Sequence, residues 1–122
     1  MRGARAIAVA AVLAGPALAS APPPPSAALG PVASAADARA YLDAVFFAHG
    51  CAIDEATLLA VMRADGQSPA DLTAAQGSAS PEKLMRHRWI FRTLQAMRED
   101  GELCPDPADP TRSLAKFGAC AP

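Results

Sequence analysis

The sequence lacks the short motifs that identify many enzymes and cofactor-binding proteins. No Cys-x-x-Cys-His occurs, so covalent attachment of a c-type haem is excluded. Neither a Gly-x-Ser-x-Gly nucleophile elbow, a His-Glu-x-x-His helix nor a phosphate-binding glycine loop is present. The 122 residues also include only two histidines and one tryptophan. We therefore expect no cofactor, and a protein that is not an enzyme is favoured.

Segments that alternate apolar and polar residues with β-branched enrichment are also missing, so no strand is predicted. Helical signals are clear instead. Ser34 is a candidate N-cap for a first helix that ends at Gly50, and a second helix is predicted over 54–64. Ser68-Pro69 should open a short connecting helix, and a long helix is predicted over 81–100, after the cap Ser80. The expected fold is all-α, a small bundle of three main helices plus the short connector.

The first nineteen residues have the pattern of a secretory signal peptide. Arg2 and Arg5 precede an apolar run over 6–18, and Ala17 and Ala19 place small residues at the two recognition positions of signal peptidase. This run is shorter than the roughly 20 residues that span a bilayer. We predict export to the periplasm or the extracellular space with cleavage after Ala19 and no transmembrane segment afterwards; a leader kept as an anchor is the alternative.

The rest of the chain divides into three segments by composition. Residues 20–33 are rich in Pro and Ala and are predicted to be an extended spacer, 34–104 to be the helical domain, and 105–122 to be a Pro-rich irregular tail. Beyond residue 20 there are nine basic and twelve acidic side chains, a formal charge of −3. A mildly acidic exported chain is a poor candidate for binding nucleic acid.

Three cysteines in an exported chain favour one disulfide and leave one thiol over. Cys51 follows the first helix and Cys104 follows the long one, so an up-down-up bundle would bring these two ends to the same pole. We predict a Cys51–Cys104 disulfide, which closes a loop of about fifty residues and contributes roughly 4 kcal/mol. Cys120 would be free or bonded to another chain, and a Cys104–Cys120 bond is the main alternative.

Two functional hypotheses remain. The leading one is a non-enzymatic module of the periplasm or cell envelope that binds an unknown protein or envelope component. Its candidate face on the long helix is Arg86, Arg88, Trp89 and Arg92, which suits an anionic partner such as a lipid head group or an acidic protein. The alternative is a small thiol- or metal-dependent enzyme centred on Cys51, His49 and His87. Adding Cys104 would complete a set of four zinc ligands, although without the usual spacing.

Overall fold

The computed structural model describes residues 21–70 and 80–122. Within them the chain forms three α-helices, a three-stranded antiparallel sheet and two 3₁₀ turns. The helices are α1 (Ala35–Ala48), α2 (Glu55–Ala64) and α3 (Pro81–Glu99). The strands are β1 (Ala52–Asp54), β2 (Leu103–Asp106) and β3 (Asp109–Ala115), and the 3₁₀ turns are Ser26–Ala28 and Gly118–Cys120.

Each helix begins at a side chain that accepts a hydrogen bond from an otherwise unpaired backbone amide. Ser34 caps α1 through the Asp37 amide, Asp54 caps α2, and Ser80 caps α3. These positions confirm the starts predicted for the three main helices. The predicted connecting helix begins at Ser68 and falls largely on 71–79, which lie outside the described residues.

The all-α prediction is wrong, because β1, β2 and β3 form a sheet in the order β1-β3-β2. Most of that sheet comes from the Pro-rich segment that was predicted to be irregular. Pro105 lies on the edge strand β2, and Pro110 lies in the part of β3 that β1 does not pair with. Proline is tolerated at both places because neither requires its missing amide for a central ladder. The three strands pack beside the helices on a shared core.

The predicted Cys51–Cys104 disulfide is also wrong. Cys51 bonds to Cys120 with the Cα atoms 5.6 Å apart, and Cys104, the third of the three cysteines that the structure describes, carries no disulfide. Cys51 immediately precedes β1, whereas Cys104 lies on β2, and β3 separates these strands. Strands two positions apart in a sheet are about 10 Å apart, farther than the roughly 7 Å between Cα atoms that a disulfide can bridge.

The backbone reverses sharply between α1 and β1, which places Cys51 for its disulfide. Gly50 and Cys51 both have positive φ, 73° and 69°, and the Cys51 amide donates to the Phe46 carbonyl at 2.7 Å. The Cys51 carbonyl in turn accepts from the Ala115 amide at 2.8 Å, where β3 ends. Pairing of β1 with β3 therefore carries the last residues of the chain to Cys51.

The core lies between the three helices and one face of the sheet, and it also takes in the N-terminal segment. Val32, within the predicted spacer, is 2% exposed, so this part of the segment packs against the domain. At the other end of the chain, the Phe117 ring packs edge-to-face on Phe46 with centroids 5.8 Å apart. The other residues of this core cluster are Ala38, Tyr41, Leu42, Val45, Ile53, Leu58, Met62, Ile90, Leu94, Met97, Leu103 and Ala115.

Candidate binding face on helix α3

The four residues predicted to form a binding face all lie on α3, but they differ in burial and in the groups that they contact. Arg86 is half-buried and donates to the Gly66 carbonyl at 2.9 Å, just after α2 ends. That carbonyl lies in the turn just past the C-terminus of α2, where a basic side chain is favourable. Arg86 therefore ties α3 to the end of α2 and has a structural role.

Arg88 and Arg92 are exposed and lie on the side of α3 that faces away from the core. The guanidinium carbon of Arg92 lies 5.1 Å from the centroid of the Trp89 ring, a cation–π arrangement. Among the described residues, neither arginine lies within 4.0 Å of a carboxylate oxygen, and the ion pairs found there involve Arg39 and Arg112 instead. Within the described residues, the two arginines therefore have no ionic partner.

Two shallow depressions flank this outward side of α3. The first, of about 400 Å³, lies between residues 31–33 and the first half of α3, with Met85 and Trp89 in its wall. The second, also about 400 Å³, is lined by Arg88, Arg92 and Arg98 together with His87, Phe91 and Gln95. Among the described residues, no carboxylate lines the second depression, whereas Glu82 lines the first. An apolar surface therefore adjoins a cationic one on the same helix.

His87 serves to hold the chain after α2 against α3. Its Nδ1 is 2.9 Å from the Ser68 hydroxyl, and its ring stacks on Phe91 with centroids 4.6 Å apart. Burial lowers the pKa of His87 below its usual value, so the ring is neutral near pH 7. Both observations favour a packing role for this histidine.

The residues of the metal and thiol alternative do not assemble into a site. Cys51 is a half-cystine, and the Nδ1 of His49, an exposed residue, lies 2.9 Å from the Val45 carbonyl within its own helix. Across 21–70 and 80–122, no three His, Cys, Asp or Glu side chains come close enough together to hold a metal ion. The alternative ligand set of His49, Cys51, His87 and Cys104 is therefore not brought together in the described part of the chain.

The sequence reasoning missed a polar cluster after α2 that orders the surroundings of the candidate face. One carboxylate oxygen of Asp65 accepts from the Ser26 hydroxyl and from the buried Tyr41 hydroxyl, each at 2.7 Å. The Gln67 side chain accepts from the Val32 amide at 3.0 Å and donates to the Gly30 carbonyl at 3.1 Å. The sequence signal was only that of a turn around a glycine, and long-range partners cannot be read from it.

Asp65 and Gln67 hold the segment 26–33 in place, and residues 31–33 of that segment form one wall of the apolar depression. The shape of this depression thus depends on polar contacts outside α3. In the part of the chain that the structure describes, no helix is long and apolar enough to cross a membrane.

Comparison with known proteins adds no relative from which a role could be transferred: no protein-family model, no curated protein and no solved structure matches this chain.

Proposed function

We propose that this protein is an exported, non-enzymatic interaction module that binds a component of the periplasm or cell envelope through the outward side of α3. The observation that carries the proposal is the concentration of positive charge on that helix. α3 contains five basic and two acidic side chains, a formal charge of +3. The other residues after position 20 include four basic and ten acidic side chains, a formal charge of −6.

This separation of charge favours a binding role over a purely structural one. Long basic side chains that only flank a core would be expected to pair with the abundant carboxylates, as Arg39 does with Glu102 at 2.7 Å. Arg88 and Arg92 instead project from the protein with no carboxylate within that reach among the described residues. A charged surface of one sign steers and orients an oppositely charged partner.

Export is supported by the leader pattern of residues 1–19 and by the Cys51–Cys120 disulfide, which is compatible with an oxidising compartment. The intact mass of the protein recovered from cells tests this part. A chain that begins at Ser20 and is two hydrogens lighter than the fully reduced form is expected. A full-length, fully reduced chain would refute export.

The enzyme alternative receives less support from the geometry. A cysteine nucleophile acts as a thiolate, whereas the Cys51 sulfur is bonded to Cys120. His49 and His87 each have a hydrogen-bond partner in the fold, the Val45 carbonyl and the Ser68 hydroxyl. These contacts explain both histidines without a reaction.

Site-specific photo-crosslinking in living cells tests the binding face. A photoreactive residue at position 88 should give a product heavier than the monomer, because position 88 lies within the proposed contact. The same residue at position 63 is the control, since Arg63 is exposed on α2 and is not one of the residues proposed to make the contact. Equal yields at both positions, or neither a protein nor a lipid adduct at position 88, would overturn the proposal.

A further inference from the structure

The outward side of α3 carries a stripe of three exposed residues, Met85, Arg88 and Arg92, which we call the outer stripe. Their spacing of three and four residues places them within one narrow sector of the helix. Met85 is 47% exposed, the most open large apolar side chain among the described residues. An exposed thioether thus stands directly beside two arginines with no carboxylate partner in the described part of the chain.

The only tryptophan of the chain lies next to this stripe. Trp89 is half-buried, with its ring beside the Arg92 guanidinium and in the wall of the apolar depression that also includes Met85. A tryptophan with one apolar side and an accessible edge is the residue type that favours the boundary between water and lipid. Arginines beside it can keep their charged groups in the polar layer while their stems cover apolar surface.

From these observations we propose that the outer stripe docks the protein onto a membrane surface that displays anionic phospholipid head groups. This inference rests on the proposed function and names the envelope component. The two arginines would contact phosphate groups, and Met85 with the Trp89 edge would enter the layer between head groups and acyl chains.

Charge complementarity favours a lipid surface and also sets the orientation of the docked protein. The +3 helix is attracted to an anionic surface, whereas the −6 remainder of the chain is repelled by it. The protein would therefore lie with α3 towards the membrane and with the acidic remainder towards water. An acidic protein partner would account for the arginines but would not require an exposed methionine and tryptophan at their side.

Trp89 provides a direct probe of docking because no other tryptophan contributes to the emission. The protein recovered from its own compartment is titrated with vesicles of phosphatidylglycerol mixed with phosphatidylcholine, and with vesicles of phosphatidylcholine alone. We expect a blue shift and co-sedimentation with the anionic vesicles only, weakened at high salt because exposed charges are screened. Absence of a preference for the anionic vesicles would overturn the proposal.

Two double variants with the same change in net charge locate the contact. Arg88→Gln with Arg92→Gln should lower the vesicle partition constant roughly thirtyfold, since each arginine near an anionic surface contributes about a factor of five. The control, Arg63→Gln with Lys116→Gln, removes two exposed charges outside α3 and should have a much smaller effect. Equal losses in the two variants would overturn docking through the stripe, and an unchanged urea midpoint verifies that each variant is folded.

A titration with a soluble anion distinguishes binding to a membrane surface from binding to a free phosphate group. Glycerol phosphate at the same head-group concentration should leave the Trp89 emission unchanged, because it offers no apolar layer. If glycerol phosphate binds in an Arg88- and Arg92-dependent way and the vesicles do not, the lipid proposal fails. A protein cross-linked at position 88, combined with no vesicle binding, would reject the lipid and leave the proposed function standing. The absence of both would reject both.

Discussion

Loss of the Cys51–Cys120 disulfide should destabilise this protein strongly. The two cysteines are 69 residues apart, and a cross-link over such a loop stabilises a fold by roughly 4 kcal/mol in the chain-entropy account. A small domain has a free energy of unfolding of about 5–15 kcal/mol in total, so the loss is a large share of it. The corresponding fall in melting temperature is between about 15 and 30 °C.

The double variant Cys51→Ser with Cys120→Ser measures this effect by urea unfolding, and Cys104→Ser is the matched control. Cys104 carries no disulfide and is partly exposed on the edge strand, so its replacement should change the free energy of unfolding by less than about 0.5 kcal/mol. Alkylation without reduction should label Cys104 alone. A large loss in the Cys104→Ser variant, with little loss in the double variant, would refute the pairing.

Three further predictions concern stability and are checked by urea unfolding. Tyr41→Phe should lower the free energy of unfolding by about 1–3 kcal/mol, since Asp65 loses a buried hydrogen-bond donor. Burial, and to a lesser extent Asp65, raises the pKa of Tyr41, so wild-type stability should fall as pH rises above about 10. This pH dependence should vanish in the Tyr41→Phe variant. Burial lowers the pKa of His87, so wild-type stability should fall as pH drops below about 6.5, and His87→Gln should reduce that loss. The same loss of stability at low pH in the variant and the wild type would contradict this prediction. Gly118→Ala should lower the free energy of unfolding by about 1–3 kcal/mol, because φ is +55° and a Cβ would overlap the Asp43 carboxylate, which accepts a hydrogen bond from the Ala119 amide. An unchanged free energy of unfolding would refute this prediction.

The outward side of α3 shows how one helix divides its basic residues between structure and surface. Arg86 is used inside the fold, where it satisfies a carbonyl after α2. Arg88 and Arg92 lie outside and support the proposed contact. Residue type does not distinguish these roles, because the difference depends on which neighbour is within reach of each guanidinium.

The helices could be predicted from the sequence because their signals are local. Ser34, Asp54 and Ser80 each sit immediately before an apolar repeat of helical period, and all three are N-caps in the structure. The buried face of α3 follows the same helical period. Ile90, Leu94 and Met97 are buried at spacings of four and three residues, whereas Met85 is exposed.

The sheet could not be predicted in the same way, because its strands are stabilised by partners distant in sequence. Ala52 on β1 pairs with Leu114 on β3, more than sixty positions away, and only β2 and β3 are neighbours in the chain. Proline-rich composition normally indicates irregular backbone, yet a proline on an edge strand costs little. Burial of Leu103, Ala115 and Phe117 against the helices therefore outweighed local propensity.

The sequence by itself determined the positions of the three helix starts and the leader pattern, because caps, periodicity and composition are properties of neighbouring residues. Only the tertiary structure decided the sheet, the pairing of Cys51 with Cys120 and the division of the basic residues of α3. All three depend on which distant segments meet. Insertion of β3 between β1 and β2 keeps Cys104 away from Cys51 and brings Cys120 to it.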